Sequence, residues 1–352
     1  MKIMVYDGPR QLRVEEAASQ PLQSDQIRVK TMFSGISHGT EMNVYRGVAP
    51  FFRRKSDPAV RLFVDAEQSE TWQYPIRSSD PGVWYMGYAN VGRVIEAGSD
   101  VKDFEVGDIV YTDAPHQSEY VKRADGGIVK LPPGVKPEHG IMLTNLMTTY
   151  NGILDTKIKL GDTVVISGLG LIGQLLLQMV KLSGAFKVIG IDTVEKRLNT
   201  ALENGADLVF NPMQCGDVAM AIRKETGNKG ADAVIEATGN HRALHEAIRI
   251  AAPDTVITAM GWYQGPAADL DFSEEFHHNR VTIRSSQTGD INPDIRHMWN
   301  HDRKRQACID LLSKLQLDNL ITHRIAYDQV ADAYAMVDNK HPDLIQSLLV
   351  YE

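Results

Sequence analysis

A regular alternation of strand-like and helix-like segments between residues 160 and 285 constrains the fold of this 352-residue chain most strongly. In the clearest helical segment, residues 171–183, apolar side chains recur at spacings of three and four, and Gly184 follows as a stop signal. Such alternation predicts a parallel sheet with helices on both faces. The strand-like runs are residues 163–167, 187–192, 232–237, 255–260 and 281–285.

A glycine-rich loop opens the helix at 171–183. The run from Ser167 reads Ser-Gly-Leu-Gly-Leu-Ile-Gly and follows an apolar strand, which is the context of a dinucleotide-binding fingerprint. Gly168 permits a tight turn, Gly170 lets the backbone approach a pyrophosphate, and Gly173 lets helix and strand pack closely. The N-terminus of the helix also offers N–H groups to the phosphates. The predicted cofactor contacts in this loop are Gly168, Leu169, Gly170, Leu171, Ile172 and Gly173.

An acidic residue, Asp192, ends the next strand-like run. A carboxylate there hydrogen-bonds the ribose hydroxyls of NAD and repels the 2′-phosphate of NADP, so the sequence favours NAD(H) over NADP(H). The cations Lys196 and Arg197 would weaken that preference if they faced the ribose, and Arg197 is a candidate to flank the adenine. The segment Ala237-Thr238-Gly239, after a later strand, is predicted to border the nicotinamide half of the cofactor.

The first 130 residues predict a different architecture. Short β-rich runs separated by Gly, Asp and Pro suit a small barrel. The last 60 residues predict two amphipathic helices, at 303–315 and 329–338, and a closing strand at 347–351. The segment 49–84 is aromatic and charged. It fits two interpretations, a surface insertion that packs on its own aromatic side chains or a wall of the substrate pocket.

Composition and charge narrow the class of protein further. The formal net charge is −8, which argues against nucleic acid as the main partner because phosphate binding needs a clustered basic face. No run approaches the roughly 18 apolar residues that span a membrane. The two cysteines, Cys215 and Cys308, cannot form a disulfide framework, and the N-terminal residues do not resemble a secretory signal. We therefore expect a cytoplasmic protein, with Cys308 as a buried helix thiol.

Motifs along the whole chain resemble the medium-chain dehydrogenase/reductase superfamily. They include Ser34-Gly35-Ile36, Gly39-Thr40-Glu41, the run from Val91 to Gly98, and the run from Lys159 into the glycine loop. The resemblance implies an α/β fold with a GroES-like β-rich catalytic domain and a Rossmann domain, which is a doubly wound parallel sheet. We expect the catalytic domain at 1–145, the Rossmann domain at 146–290, and a return to the catalytic domain at 291–352. The resemblance also implies hydride transfer with NAD(P) and a homodimer.

The zinc ligands of this superfamily are replaced in this sequence. Zinc members have a cysteine where this chain has Ser37, and they have Gly-His-Glu where it reads Gly87-Tyr88-Ala89. A hydroxyl, a phenol and a methyl group cannot replace thiolate, imidazole and carboxylate ligands. The four-cysteine loop of the structural zinc site is missing as well. The sequence therefore predicts no metal, and it resembles the zinc-lacking subgroup that includes bacteriochlorophyllide hydroxyethyl dehydrogenase-like proteins.

Without a cation, oxidation of an alcohol needs a proton acceptor tuned near neutral pH and donors that hold the alkoxide. His38 and His116 are candidate acceptors because histidine titrates in that range. Tyr88 is a candidate donor to the substrate oxygen, and Ser37 and Thr40 are candidate proton relays. Each also has a structural interpretation, as a loop-shaping hydroxyl, a filler of the vacated metal site or a satisfied core histidine. The predicted catalytic residues are His38, Tyr88, His116, Ser37, Thr40 and, as an orienting acid, Glu41.

Three functions are consistent with this sequence. The first is a zinc-independent oxidoreductase that transfers hydride between NAD(H) and a secondary alcohol or ketone, such as a sugar or polyol. The second is an NAD(P)H-dependent quinone or enoyl reductase, against which Asp192 argues because those enzymes generally prefer NADPH. The third is a non-catalytic dinucleotide-binding protein, since a fold does not fix a function. In each case the predicted partner is a small molecule, without nucleic acid or membrane.

Overall fold

The computed structural model describes residues 1–351, which divide into two compact units. Unit 1 comprises Met1–Met142, His323–His341 and residues 347–351, and unit 2 comprises Leu143–Thr322 and Pro342–Gln346. The first boundary lies close to the predicted residue 145. The return to unit 1 comes at residue 323, later than the predicted residue 291, because the helix that follows residue 300 packs within unit 2.

Strands dominate both ends of the chain and alternate with helices in its middle. In chain order the strands are β1 (Lys2–Gly8), β2 (Gln11–Glu16), β3 (Gln26–Gly35), β4 (Arg54–Asp57), β5 (Leu62–Asp65), β6 (Ile76–Arg77), β7 (Asn90–Ala97), β8 (Ile109–Thr112), β9 (Glu119–Arg123), β10 (Val129–Lys130), β11 (Thr163–Ser167), β12 (Lys187–Ile191), β13 (Leu208–Phe210), β14 (Ala233–Glu236), β15 (Val256–Ala259), β16 (Thr282–Ser285), β17 (Ile321–Ala326) and β18 (Gln346–Val350). The α-helices are α1 (Thr40–Tyr45), α2 (Leu143–Thr156), α3 (Leu171–Leu182), α4 (Glu195–Glu203), α5 (Val218–Glu225), α6 (His241–Ile250), α7 (Glu275–His278), α8 (His301–Leu311) and α9 (Val330–Asp338).

Unit 1 is built around β3, the longest strand, which is ten residues long. One edge of β3 pairs antiparallel with β7. Along its other edge, the first half pairs with β9 and the second half with β18, so the end of the chain completes the sheet. The sheet runs β10–β8–β7–β3–β18–β17. Inward-facing side chains of these strands, among them Val29, Val94 and Tyr120, form a buried core. This confirms the β-rich domain predicted from the sequence.

Unit 2 contains a parallel sheet in the order β13–β12–β11–β14–β15–β16, and each strand is followed by a helix until the last. Alternate residues of β11 face opposite sides of the sheet. Val164 and Ile166 pack under one helical layer, and Val165 packs under the other. The winding direction reverses between β11 and β14, and ligands bind at such a switch point in doubly wound sheets. The predicted Rossmann architecture is therefore confirmed.

Helix α8 packs against α2 within unit 2. It carries Cys308, which is buried as predicted, and the fully buried Lys304. Lys304 Nζ donates hydrogen bonds to Thr288 O at 3.0 Å and to Asn151 Oδ1 at 3.3 Å, which anchors the segment after β16. Burial lowers the pKa of Lys304. Within residues 1–351, no helix has the length and apolarity needed to cross a membrane.

Candidate active site

The glycine loop of unit 2 folds back tightly on itself. Gly168 has a φ of +91°, in the left-handed region, and its N–H donates to Ile191 O at 2.8 Å. A Cβ on Gly173 would lie 1.9 Å from Gly168 O, so only glycine permits this approach of helix to loop. At Gly170 the surroundings are open, because no other part of the described chain lies within 4 Å of the place a Cβ would occupy. The loop thus has a closely packed glycine, Gly173, and a glycine with open space around it, Gly170, as the fingerprint predicts.

The first turn of α3 fits the pyrophosphate of a dinucleotide. Gly170 precedes α3 in an extended conformation, and the first turn carries no acidic side chain. The first N–H groups of a helix lack intrahelical partners and favour anions. The side chains of Leu169 and Leu171 are buried, and that of Ile172 packs against the same core. These three residues therefore offer a ligand mainly their backbone.

Asp192 holds the glycine loop at the end of β12. Its Oδ2 accepts a hydrogen bond from the N–H of Leu169 at 2.7 Å, and its Oδ1 accepts one from the N–H of Val194 at 2.9 Å. A carboxylate oxygen can accept a further hydrogen bond, so these contacts are compatible with ribose binding. The guanidinium of Arg197 lies 3.8 Å from Asp192 Oδ2 and donates to Leu344 O.

A buried acid, Glu236, shapes the segment Ala237-Thr238-Gly239; the sequence predicts that Glu236 and this segment border the nicotinamide half of the cofactor, without giving Glu236 a role of its own. Its Oε1 accepts from the N–H of Thr238 at 2.7 Å and its Oε2 from the N–H of Gly239 at 3.2 Å. The hydroxyls of Thr238 and Tyr263 donate to the same carboxylate. Burial raises the pKa of Glu236, although the four donors oppose that shift. The available signal was a charged residue at the end of an apolar strand.

In unit 1, a fully buried network forms around Glu41. Glu41 Oε1 accepts a hydrogen bond from the N–H of Ser37 at 2.8 Å, and Oε2 lies 2.8 Å from His116 Nε2 and accepts from the hydroxyl of Tyr334. The other ring nitrogen of His116 shares a hydrogen bond of 2.7 Å with Ser34 Oγ. Burial, followed by the charge of Glu41, raises the pKa of Tyr334, so this phenol is a donor. The network links residues from three separate stretches of the chain.

His116 occupies the centre of this network. Its ring is inaccessible to solvent, and the structure directs both ring nitrogens to protein side chains. Gly87 has a φ of +111°, and a Cβ there would lie 2.9 Å from the His116 ring. Such close packing fixes the imidazole orientation. This geometry corresponds to the structural interpretation of His116, while direct contact with substrate stays a prediction.

A second pair of hydroxyl groups lies beside the network. The hydroxyl of Tyr88 donates to Ser37 Oγ at 2.5 Å. Burial raises the pKa of Tyr88 to about 12, Glu41 adds to the rise, and hydrogen bonds with Ser37 and Thr40 oppose it. The phenol is therefore neutral and able to donate near pH 7. The half-buried His38 lies in the same loop. The structure thus brings Ser37, Thr40, Glu41 and Tyr88 together.

These side chains do not fit the ligand set of a catalytic zinc ion. Zinc sites use thiolate, imidazole or carboxylate ligands, whereas Ser37 and Tyr88 supply a hydroxyl and a neutral phenol. Glu41 and His116 are committed to each other. Among residues 1–351, no group of three closely spaced His, Cys, Asp or Glu ligands includes either of them. By contrast, the glycine loop and Asp192 fit a nicotinamide dinucleotide.

Comparisons with known proteins agree with this architecture. Residues 172–302 match the family model described as zinc-binding dehydrogenase. A D-guloside 3-dehydrogenase of Escherichia coli (strain K12) is 29% identical over 348 residues, covering 97% of each chain. An NADP-dependent isopropanol dehydrogenase of Entamoeba histolytica is 27% identical over 304 residues, covering 75% of this chain and 80% of the relative. The solved structure of 2R,3R-butanediol dehydrogenase from Bacillus subtilis has a TM-score of 0.77 at 20% identity, covering 99% of each chain.

The family-model match and the relatives agree with the medium-chain, zinc-binding-type dehydrogenase superfamily, and the chain is an alcohol-dehydrogenase-like oxidoreductase. The solved structure supports the fold. The relatives also support a nicotinamide dinucleotide as cofactor. The matched segment 172–302 lies wholly in unit 2. It does not include Ser37 or Tyr88, so this match carries no information about the positions where zinc members bind their metal.

Proposed function

We propose that this chain oxidises a secondary alcohol of a sugar or polyol, or reduces the corresponding ketone, by zinc-independent hydride exchange with NAD(H). The observation that supports this most directly is the hydrogen-bonded pair Tyr88–Ser37 at the positions of the zinc ligands. A hydroxyl-rich substrate class is supported by the named D-guloside 3-dehydrogenase. The superfamily resemblance and two cysteines further suggest a cytoplasmic homodimer.

The proposed roles follow from the contacts of each side chain. The glycine loop and Asp192 would hold the nicotinamide dinucleotide, which would supply the hydride acceptor for the carbinol carbon. When substrate binds, Tyr88 redirects its single O–H from Ser37 Oγ to the substrate oxygen, because a neutral phenol is a stronger hydrogen-bond donor to an alkoxide than water is. Ser37 and Thr40 pass the hydroxyl proton to His38, the proposed exit to water. Glu41 and His116 act through others, since Glu41 fixes the N–H of Ser37 and His116 fixes Glu41.

The preference for NAD(H) is attributed to Asp192. Its carboxylate stands at the end of β12, where the adenine ribose of such folds binds, and it would repel a 2′-phosphate. Asp192→Ala should therefore raise the Kd of NADH about 10-fold and change that of NADPH little. Both constants are measured by the fluorescence of the bound dihydronicotinamide. Equal losses for the two cofactors would show that Asp192 only supports the loop.

Zinc independence is tested with purified enzyme treated with a chelator and checked for metal by elemental analysis. NAD⁺ is offered with a panel of sugars, polyols and secondary alcohols, and NADH formation is followed. The metal-free enzyme should keep its full turnover. A requirement for one divalent ion per chain, or no turnover with any alcohol in the panel, would contradict the proposal.

A further inference from the structure

The segment between α1 and β7 carries a continuous aromatic panel, which we define as Phe51, Phe52, Trp72, Tyr74, Trp84 and Tyr85. Trp72 and Tyr85 stack with ring centroids 3.7 Å apart, and Phe51 stacks on Trp72 at 4.5 Å. Trp84 meets Trp72 and Tyr85 at interplanar angles of 73° and 84° instead of stacking on them. The indole of Trp84 is therefore supported by rings that are themselves fixed.

Trp84 remains 49% exposed in spite of this support. Burial of a large aromatic side chain normally stabilises a fold by about 1.5–3 kcal/mol, and this chain leaves half of that surface in water. A half-exposed indole that packs against other rings offers a ligand a flat apolar face.

The aromatic panel is joined to the part of unit 1 that contains Tyr88. The hydroxyl of Tyr74 donates to Val44 O at 2.7 Å, and Val44 lies in α1, whose first residues are Thr40 and Glu41. The panel residue Tyr85 also stands three positions before Tyr88 in the sequence. A ligand held on the panel is thus held by the same local structure that presents the proposed catalytic hydroxyls.

Polar groups accompany the aromatic panel. Burial raises the pKa of Tyr85 to about 12, and the charge of the Asp80 carboxylate adds to that rise. Asp80 therefore lies near the aromatic panel. The exposed amide of Gln73 lies next to Trp72 in the chain and donates to Thr71 Oγ1 at 2.7 Å. A pyranose ring has an apolar C–H face and equatorial hydroxyls. The Trp84 indole offers a partner for the C–H face, and the Asp80 carboxylate near Tyr85 offers an acceptor for hydroxyl groups.

We propose that Trp84 and the aromatic panel form a subsite for a pyranose ring, so that the preferred substrates are glycosides instead of simple alcohols or open-chain polyols. The proposal rests on the proposed function, since the sugar must also present a secondary hydroxyl to Tyr88. No aromatic panel residue is among the proposed catalytic residues, so we assign the panel to ring binding alone. Its contacts therefore stabilise ground state and transition state alike, and their loss should appear in KM, with kcat preserved.

The test compares wild type with Trp84→Ala and Trp84→Phe, using methyl α-D-glucopyranoside and 2-butanol as the two alcohols with NAD⁺. Trp84→Ala should raise the KM for the glycoside at least 10-fold, with kcat within twofold and the KM for 2-butanol unchanged. Trp84→Phe should recover most of the loss because it keeps a flat ring. As a matched control, Phe272→Ala removes an equally exposed aromatic side chain from unit 2 and should change neither KM.

Direct binding separates failure of this inference from failure of the proposed function. If wild type oxidises neither of these alcohols nor any other in the panel of sugars, polyols and secondary alcohols, the proposed function fails, and quenching of tryptophan fluorescence by the glycoside still reports the subsite. If the glycoside is oxidised and Trp84→Ala leaves its KM unchanged, the subsite is wrong. If Trp84→Ala instead lowers the oligomeric state in sedimentation without a selective effect on the glycoside KM, the panel is a contact between copies of this chain and the inference is overturned.

Discussion

The glycine loop of unit 2 and the Glu41 network of unit 1 are built in opposite ways. The loop is one continuous stretch, Ser167 to Gly173, and its contacts are largely between backbone atoms. The network joins side chains from distant stretches, with Ser34 and Tyr351 sharing a hydrogen bond of 2.8 Å across 317 positions. A contiguous motif constrains a site through local backbone geometry. A dispersed network depends on the whole of its domain folding correctly.

The largest expected effect comes from a substitution in the glycine loop. Gly173→Ala places a methyl group 1.9 Å from Gly168 O, far inside van der Waals contact, so loop and helix must separate. We expect loss of detectable NADH binding, on the order of 100-fold or more, and a lower Tm. The matched variant Gly170→Ala adds the same methyl group in open space.

Gly170→Ala should keep the wild-type Tm and still weaken NADH binding, because its methyl group would meet the pyrophosphate instead of the protein. Fluorescence titration and differential scanning calorimetry measure the two quantities. Equal effects of the two substitutions on both quantities would show that the distinction between dense and open glycine positions is incorrect.

The next largest effect concerns Tyr88. Tyr88→Phe keeps the ring and removes the hydroxyl that donates to Ser37 and that we propose donates to the alkoxide. Removal of one such group lowers kcat by roughly 100-fold. The Kd of NADH should not change, which distinguishes this variant from the loop variants. In the double variant with Ser37→Ala the losses should not add, since the two hydroxyls act as a unit.

If kcat of Tyr88→Phe stayed within threefold of wild type, Tyr88 would merely fill the space that the metal occupies in zinc members. The fluorescence titration used for the loop variants then serves as the control that the protein is intact.

What could be predicted from the sequence follows the same division. Local periodicity and spacing are visible in a sequence, and they predicted the alternation of strands and helices, the glycine loop and Asp192. The hydrogen bonds of Glu41 to His116 and Tyr334 were not, because antiparallel pairing of β3 with β9 and β18 brings together residues that no sequence window contains. The late return of the chain at residue 323 was missed for a related reason. The amphipathic pattern of α8 predicts that one face is buried, but it does not predict that this face, which carries Lys304, packs against α2.

A third prediction tests whether the Glu41 network serves mainly to position its members. His116→Asn removes the imidazole that bridges Glu41 and Ser34 and leaves the buried carboxylate with fewer donors. Leaving such a group unsatisfied costs about 1–3 kcal/mol, which urea unfolding measures. The matched substitution His278→Asn lies on the exposed face of α7 and should cost less than about 0.5 kcal/mol. Unchanged stability of His116→Asn combined with a large loss of kcat would place His116 in the chemistry itself.

The smallest effect concerns Glu236, a buried acid of unit 2 that accepts hydrogen bonds from four donors and so fixes the segment after β14. Burial raises its folded pKa above the unfolded value, so the neutral acid is the form that the fold prefers. The stability that this preference contributes is complete below the unfolded pKa, near 4.5, and is lost as the pH rises through the folded pKa. Glu236→Gln is neutral at every pH. Its Tm relative to wild type, measured from pH 5 to pH 8, should therefore increase as the pH rises from the unfolded pKa toward the folded pKa.

The increase in relative Tm should amount to about 2–4 °C for each kcal/mol involved, within reach of calorimetry. Glu203→Gln, which removes an exposed acid of α4, is the control and should show a constant difference. A constant difference for Glu236→Gln as well would mean that Glu236 is ionised throughout this range. The hydrogen bonds from Thr238, Gly239 and Tyr263 would then outweigh burial, and the loop beside the cofactor would be fixed by a charge instead of a neutral acid.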